Sequence, residues 1–89
     1  MHAFVLIQAD PGPQPLAASL REVPGVVSAD EVSGAFDAIV LAQAASTREL
    51  LDGVVTRILR LPRVRRALPA PAIRSLSGEA LTPPSDVAA

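Results

Sequence analysis

Four breaks, at Asp10-Pro11-Gly12-Pro13, Pro24-Gly25, Gly34 and Pro62, together with a helix-start signal at Ser46, divide this chain into six short segments. A proline neither donates to a ladder nor continues a helix, and a glycine takes the positive φ that a tight connection demands. Each segment is therefore held to one strand or one helix, and the kind of element follows from the spacing of its apolar residues.

The first segment contains Ala3-Phe4-Val5-Leu6-Ile7, a continuous apolar run without helical spacing, and reads as a central strand. Leu16, Leu20 and Val23 recur at i, i+4 and i+7 and give a short amphipathic helix stopped by Pro24-Gly25. Residues 26–33 and 37–43 are β-rich and flank Gly34-Ala35-Phe36, which predicts an antiparallel hairpin with Gly34 at positive φ. Ser46-Thr47-Arg48-Glu49 fits a capping box, Ser46 accepting from a first-turn amide and Glu49 reaching back to the cap amide. Leu51, Val54, Val55, Ile58 and Leu61 then mark one face of a helix over residues 47–61, ended by Pro62. Residues 64–68 begin a fourth strand, while Pro69 and Pro71 confine its continuation to a sheet edge or an irregular path, with pairing resumed over residues 73–76.

The order is βαββαβ. With right-handed crossovers it gives an α+β, ferredoxin-like fold: a four-stranded antiparallel sheet with two helices on one face. The other face is left uncovered, and alternate residues of the apolar runs 4–7 and 39–41 would lie on it. Large exposed apolar patches mark interfaces, so a dimer that packs sheet against sheet is expected. Size points the same way, because a domain of 89 residues buries only about 60 to 65% of its unfolded surface and gains from association. Residues 1–77 make the domain; residues 78–89 have too little apolar material to offset ordering entropy and read as a disordered tail.

The chain has no cysteine, which excludes disulfides and thiolate metal sites. The apolar opening is too short for a signal-peptide core or a membrane span, so a cytoplasmic protein is expected. All eight basic residues are arginine, and Arg57, Arg60, Arg63, Arg65, Arg66 and Arg74 cluster late, whereas most carboxylates lie earlier. The two halves are electrostatically complementary although the net charge is only −1. With two phenylalanines and no other aromatic residue to stack bases, the arginines read as solvated surface or self-pairing groups, not as a nucleic-acid site.

Catalytic signals are missing from the pattern. The only histidine, His2, adjoins the initiator methionine, and no second histidine or ligand spacing makes a metal site. No Gly-Lys-Ser/Thr loop or GxGxxG turn supports a nucleotide. Asp30, Glu31 and Asp37 flank the hairpin, where carboxylates ordinarily face water. No catalytic residue, metal or cofactor is expected.

Ala3-Phe4-Val5-Leu6-Ile7, then Val23-Pro24-Gly25-Val26-Val27, then Gly34-Ala35-Phe36-Asp37, and finally Leu61-Pro62-Arg63-Val64 stand in one unbroken register. In that order they resemble the effector-binding (RAM) domain of the Lrp/AsnC transcription regulators over about residues 3–76. The resemblance implies a ferredoxin-like domain that dimerises through its sheets, dimers that assemble into rings, and small effectors, commonly amino acids, bound between them. It implies that Gly34, Phe36 and Asp37 form the ligand-binding turn, whose amides would receive a carboxylate while Asp37 meets an amino group. The alternative for Gly34 and Asp37 is that they only shape the hairpin. The family's regulators carry a DNA-binding helix-turn-helix ahead of this domain, so a chain opening on the first strand resembles a stand-alone module that does not bind DNA itself. Two departures are plain: hydroxyl residues usual near Ala67 and Pro69 are absent, and Arg63 replaces the glycine usual before Val64.

Three functions of different class follow. The first is an oligomeric module sensing an amino acid or related small metabolite through population shift. The second is a structural adaptor that joins copies of itself or full-length Lrp/AsnC-type regulators without an effector, a reading favoured by the missing hydroxyls. The third is a small dimeric ferredoxin-like enzyme, which would need polar or aromatic catalytic groups beyond Phe4 and Phe36.

Overall fold

The first strand earns its central place by being apolar on both faces. In a computed structural model, which describes residues 1–71, β1 (His2–Ala9) pairs antiparallel with two neighbours at once. One is β3 (Ala38–Gln43), the other β4 (Val64–Pro71); β2 (Val26–Glu31) adds to the far side of β3, giving the order β2-β3-β1-β4. Helix α1 (Leu16–Arg21) follows β1, and a second helical stretch, α2, occupies residues 47–59. This is the four-stranded, two-helix α+β arrangement expected of the ferredoxin-like fold. The expected resumption of pairing over residues 73–76 and the expected tail lie outside the described residues.

Alternation sorts the sheet's side chains between two environments. Ala3, Val5 and Ile7 of β1 and Ala38, Val40 and Ala42 of β3 are buried against Leu16, Leu20, Leu50, Val54 and Ile58 of the helices. Phe4, Leu6, Ile39, Leu41 and Leu68 fall on the opposite face and are half-buried.

Hairpin and helix boundaries differ from the sequence reading in instructive ways. β2 ends at Glu31 and β3 begins at Ala38, so the connection is longer than Gly34-Ala35-Phe36; Gly34 has φ +119° as expected. Ser46 caps α2 by accepting from the Glu49 amide at 3.1 Å, whereas the Glu49 carboxylate reaches past the cap to the amide of Ala45, at 3.2 Å.

α2 is not a uniform α-helix. Thr47–Glu49 and Thr56–Leu59 are α-helical, but Leu50–Val55 between them is wound as a π-helix. The wider turn rotates the buried face: Leu50 is fully buried, and Leu51, expected on that face, is 42% exposed. Val54, Val55 and Ile58 are buried as the spacing predicts, while Leu61 lies just beyond the helix, half-buried against the core.

The prolines of β4 fit their edge position. Ile7 O accepts from Asp37 N on the β3 side, so by alternation the backbone groups of Phe4 and Leu6 face β4, opposite Ala70 and Leu68. Pro69 and Pro71, opposite Val5 and Ala3, therefore have their missing donors on the outer side of the strand, where no ladder bond is lost. At the other edge, Arg21 Nη2 donates to Ala29 O of β2 at 2.7 Å, covering an edge carbonyl with a helix side chain.

Candidate functional site

At the end of the sheet where β1 stops, the proline loop meets the β2–β3 connection. Between them lies a cavity of about 490 Å³ bordered by Asp10, Gln14, Glu31, Val32, Asp37 and Arg63, with the intervening prolines completing the wall.

Asp37 ties the hairpin to β1 by two bonds and closes the hairpin on itself by a third. Its amide donates to Ile7 O at 2.8 Å, its Oδ2 accepts from Ala9 N at 2.8 Å, and its carbonyl accepts from Val32 N at 3.0 Å. Gln8 Nε2 donates to Ala35 O at 2.8 Å and adds a third link between β1 and the same connection. These bonds hold the loop where β1 splays from β3. Asp37 is itself exposed and borders the cavity.

Arg63 organises the other wall. Its Nε donates to Asp10 O at 3.1 Å and its Nη1 to Gln14 O at 2.5 Å, while its own carbonyl accepts from Asp10 N at 2.8 Å. A Cβ on Gly12 would approach Arg63 Nε to 2.6 Å, so the bare glycine makes room for the guanidinium inside the loop. Arg65 pairs with Asp10 from outside, Nη1 to Oδ1 at 3.2 Å; it sits at the register shift where β1 and β4 part, between the pairs Gln8–Arg66 and Ala9–Val64. In the sequence Arg63 stood in the late arginine cluster, read as solvated surface or self-pairing groups, and as a departure before Val64. Its grip on a loop about fifty positions earlier in the chain left no local signal.

The three residues expected to bind ligand are close in sequence but differ in setting. Asp37 borders the cavity; Gly34 stands at the tip of the connection with nothing within 4 Å of a would-be Cβ; Phe36 is half-buried; neither of the latter two is among the cavity's lining. Asp30 and Glu31, adjacent on β2, point to opposite faces, and only Glu31 reaches the cavity. His2 stands at the start of β1 on the open face, opposite Gln43 and far from these carboxylates. Among the described residues no group of three or more His, Asp or Glu side chains could hold a metal ion, and no helix is long and apolar enough to cross a membrane. Ala67 and Pro69 lie opposite Ile7 and Val5, on the helix-facing side of the sheet.

The geometry can be set beside known proteins. The model of the Lrp/AsnC ligand binding domain matches residues 2–77. A solved structure from Thermus thermophilus, TTHA0845, is 33% identical, with a TM-score of 0.72 over 83% of this chain and 94% of that one. The crystal structure of FFRP-DM1 is 25% identical, with a TM-score of 0.70 over 81% of this chain and 97% of its own. A hypothetical protein from Pyrococcus horikoshii, PHS023, shares the fold at 23% identity, with a TM-score of 0.69 over 88% and 95% of the two chains. Among curated proteins, none matches this chain. A family match over nearly the whole described structure, joined to a Gly-x-aromatic-Asp turn anchored on β1, means that this chain belongs to the Lrp/AsnC ligand-binding domain family.

Proposed function

We propose that the protein is a ligand-binding and oligomerising module that pairs with a second copy through its open sheet face and takes an amino acid or related small metabolite. It acts by binding, in the cytoplasm, and full-length Lrp/AsnC-type regulators are the partners its sheet would join. The observation that carries the ligand is the composition of the cavity. Glu31 and Asp37 border it from the hairpin side and Arg63 from the β4 side, so both signs of charge surround one volume. That suits a zwitterion better than a simple anion, and a few convergent polar groups in a concave site are the ordinary marks of small-molecule binding. Gly34, Phe36 and Asp37 would form the turn that closes over the ligand.

Thermal unfolding in the presence of each of the twenty amino acids tests this reading. A ligand at about 100 times its dissociation constant adds about 2.7 kcal/mol of stability, so one or two amino acids should raise Tm reproducibly. No shift with any of them, from a folded oligomer, would establish the adaptor reading in its place. That second reading has its own support: Asp37 already spends one carboxylate oxygen on Ala9 N, and the hydroxyls usual at Ala67 and Pro69 are absent.

A further inference from the structure

The cavity at the proline loop is rich in acceptors and poor in donors. Its charged border residues are Asp10, Glu31 and Asp37 against Arg63 alone. Asp10 is answered from outside by Arg65, Nη1 to Oδ1 at 3.2 Å, whereas among the described residues neither Glu31 nor Asp37 has an ion-pair partner. Arg21, which lies against β2, is held on Ala29 O. The groove of about 550 Å³ at the other end of the sheet shows no such excess, since Arg48 and Arg57 there balance Glu49 and Asp52.

The donors around the first cavity are committed elsewhere. The amides of Ala9, Asp10, Val32 and Asp37 all donate within the protein. Pro11, Pro13 and Pro15 have no amide hydrogen to offer. Arg63 spends Nε on Asp10 O and Nη1 on Gln14 O, which leaves Nη2 as the guanidinium nitrogen open to a ligand.

From this inventory we infer that the site selects basic amino acids, ligands of the lysine, ornithine and arginine kind, over neutral and acidic ones. The α-ammonium group meets Asp37, the second cation meets Glu31, and the α-carboxylate meets Arg63 Nη2. The inference rests on the amino-acid-binding reading proposed above and names the class of ligand.

Glu31 is opposite Ala38 across the β2–β3 ladder, so it stands one position from Asp37 on a neighbouring strand. Neighbouring strands lie about 4.8 Å apart, and two carboxylates set so close without a cation repel each other. A neutral amino acid brings one ammonium group and leaves one carboxylate unanswered. An acidic one adds a further negative charge. A basic one brings two cations on one flexible chain and answers both, as charge-assisted hydrogen bonds require.

Calorimetric titration with lysine, ornithine, arginine, norleucine and glutamate tests the selection, because norleucine keeps the lysine chain and lacks only its terminal amine. Lysine should bind about fivefold more tightly than norleucine, and glutamate more weakly than either. Glu31 is exposed at the last position of β2, so Glu31→Gln should keep the native circular dichroism while bringing lysine to within about twofold of norleucine. If norleucine or glutamate binds as tightly as lysine to the parent, the basic selection is overturned and the amino-acid site stands. A lysine preference that survives Glu31→Gln overturns the assignment of the second cation to Glu31. Binding of no amino acid at all overturns the amino-acid reading itself, and this inference with it.

Discussion

A Cβ placed on Gly25 would run into Val54 Cγ2: the turn that opens β2 and the π-wound part of α2 touch where only a hydrogen fits. Gly25 also has φ +99°, and Gln43 N donates to its carbonyl at 2.8 Å, so the turn can neither relax its backbone nor move from β3 without losing a bond. Gly25→Ala should therefore cost about 2 to 4 kcal/mol, combining left-handed strain with overpacking. Gly34 shares the positive φ but stands in open space, and Gly34→Ala should lose only about 1 kcal/mol, from strain alone. Urea unfolding of the two variants side by side separates close approach from backbone strain.

The buried face of α2 can be checked with two neighbouring leucines. Leu50→Ala should cost about 2 to 5 kcal/mol by opening a cavity in the core, whereas Leu51→Ala, on the exposed side, should change stability by less than about 0.5 kcal/mol. A uniform α-helix with the spacing read from sequence would reverse that ranking.

Ser46→Ala removes the acceptor for the Glu49 amide, and a loss of about 1 kcal/mol is expected. Glu49→Gln keeps an oxygen able to accept from Ala45 N and should lose less than half as much in the same melts.

Asp37 has a structural share that can be separated from any role with ligand. Asp37→Ala removes the acceptor of Ala9 N and should cost about 0.5 to 1.5 kcal/mol. Asp37→Asn retains an acceptor oxygen and should unfold near the parent. If the carboxylate meets an amino group, both variants should lose the amino-acid-dependent rise in Tm, and Asp37→Asn should lose it without loss of stability.

Leu6→Arg places a charge in the centre of the open face, opposite Ile39 and Leu68. Light scattering should report half the parent's mass while circular dichroism stays native, because the side chain points away from the helix-facing core.

The parts of the fold legible in sequence were those fixed by local chemistry. Gly34 announced its positive φ, Ser46 its cap, and the pairing of apolar runs with proline breaks the order of elements. The π turn was hidden because Leu50 and Leu51 are adjacent and equally apolar; which one faces the core depends on how the intervening turn is wound, and that is decided by packing against the sheet. The cavity was legible only through Asp37. Its opposite wall depends on Arg63 reaching into the loop at Gly12 and Gln14, a long-range contact that arginine's place next to Pro62 does not signal.

The outer side of β4 has further meaning. A strand edge that offers donors and acceptors accepts another strand, then another, and such growth has no natural end. Here two successive outward positions are prolines, and on the far edge Arg21 already occupies the Ala29 carbonyl. Extension of the sheet sideways is thus obstructed at both borders. Fibrous growth is thereby disfavoured, and concentrated solutions should remain clear where a similar sheet with bare borders would gel.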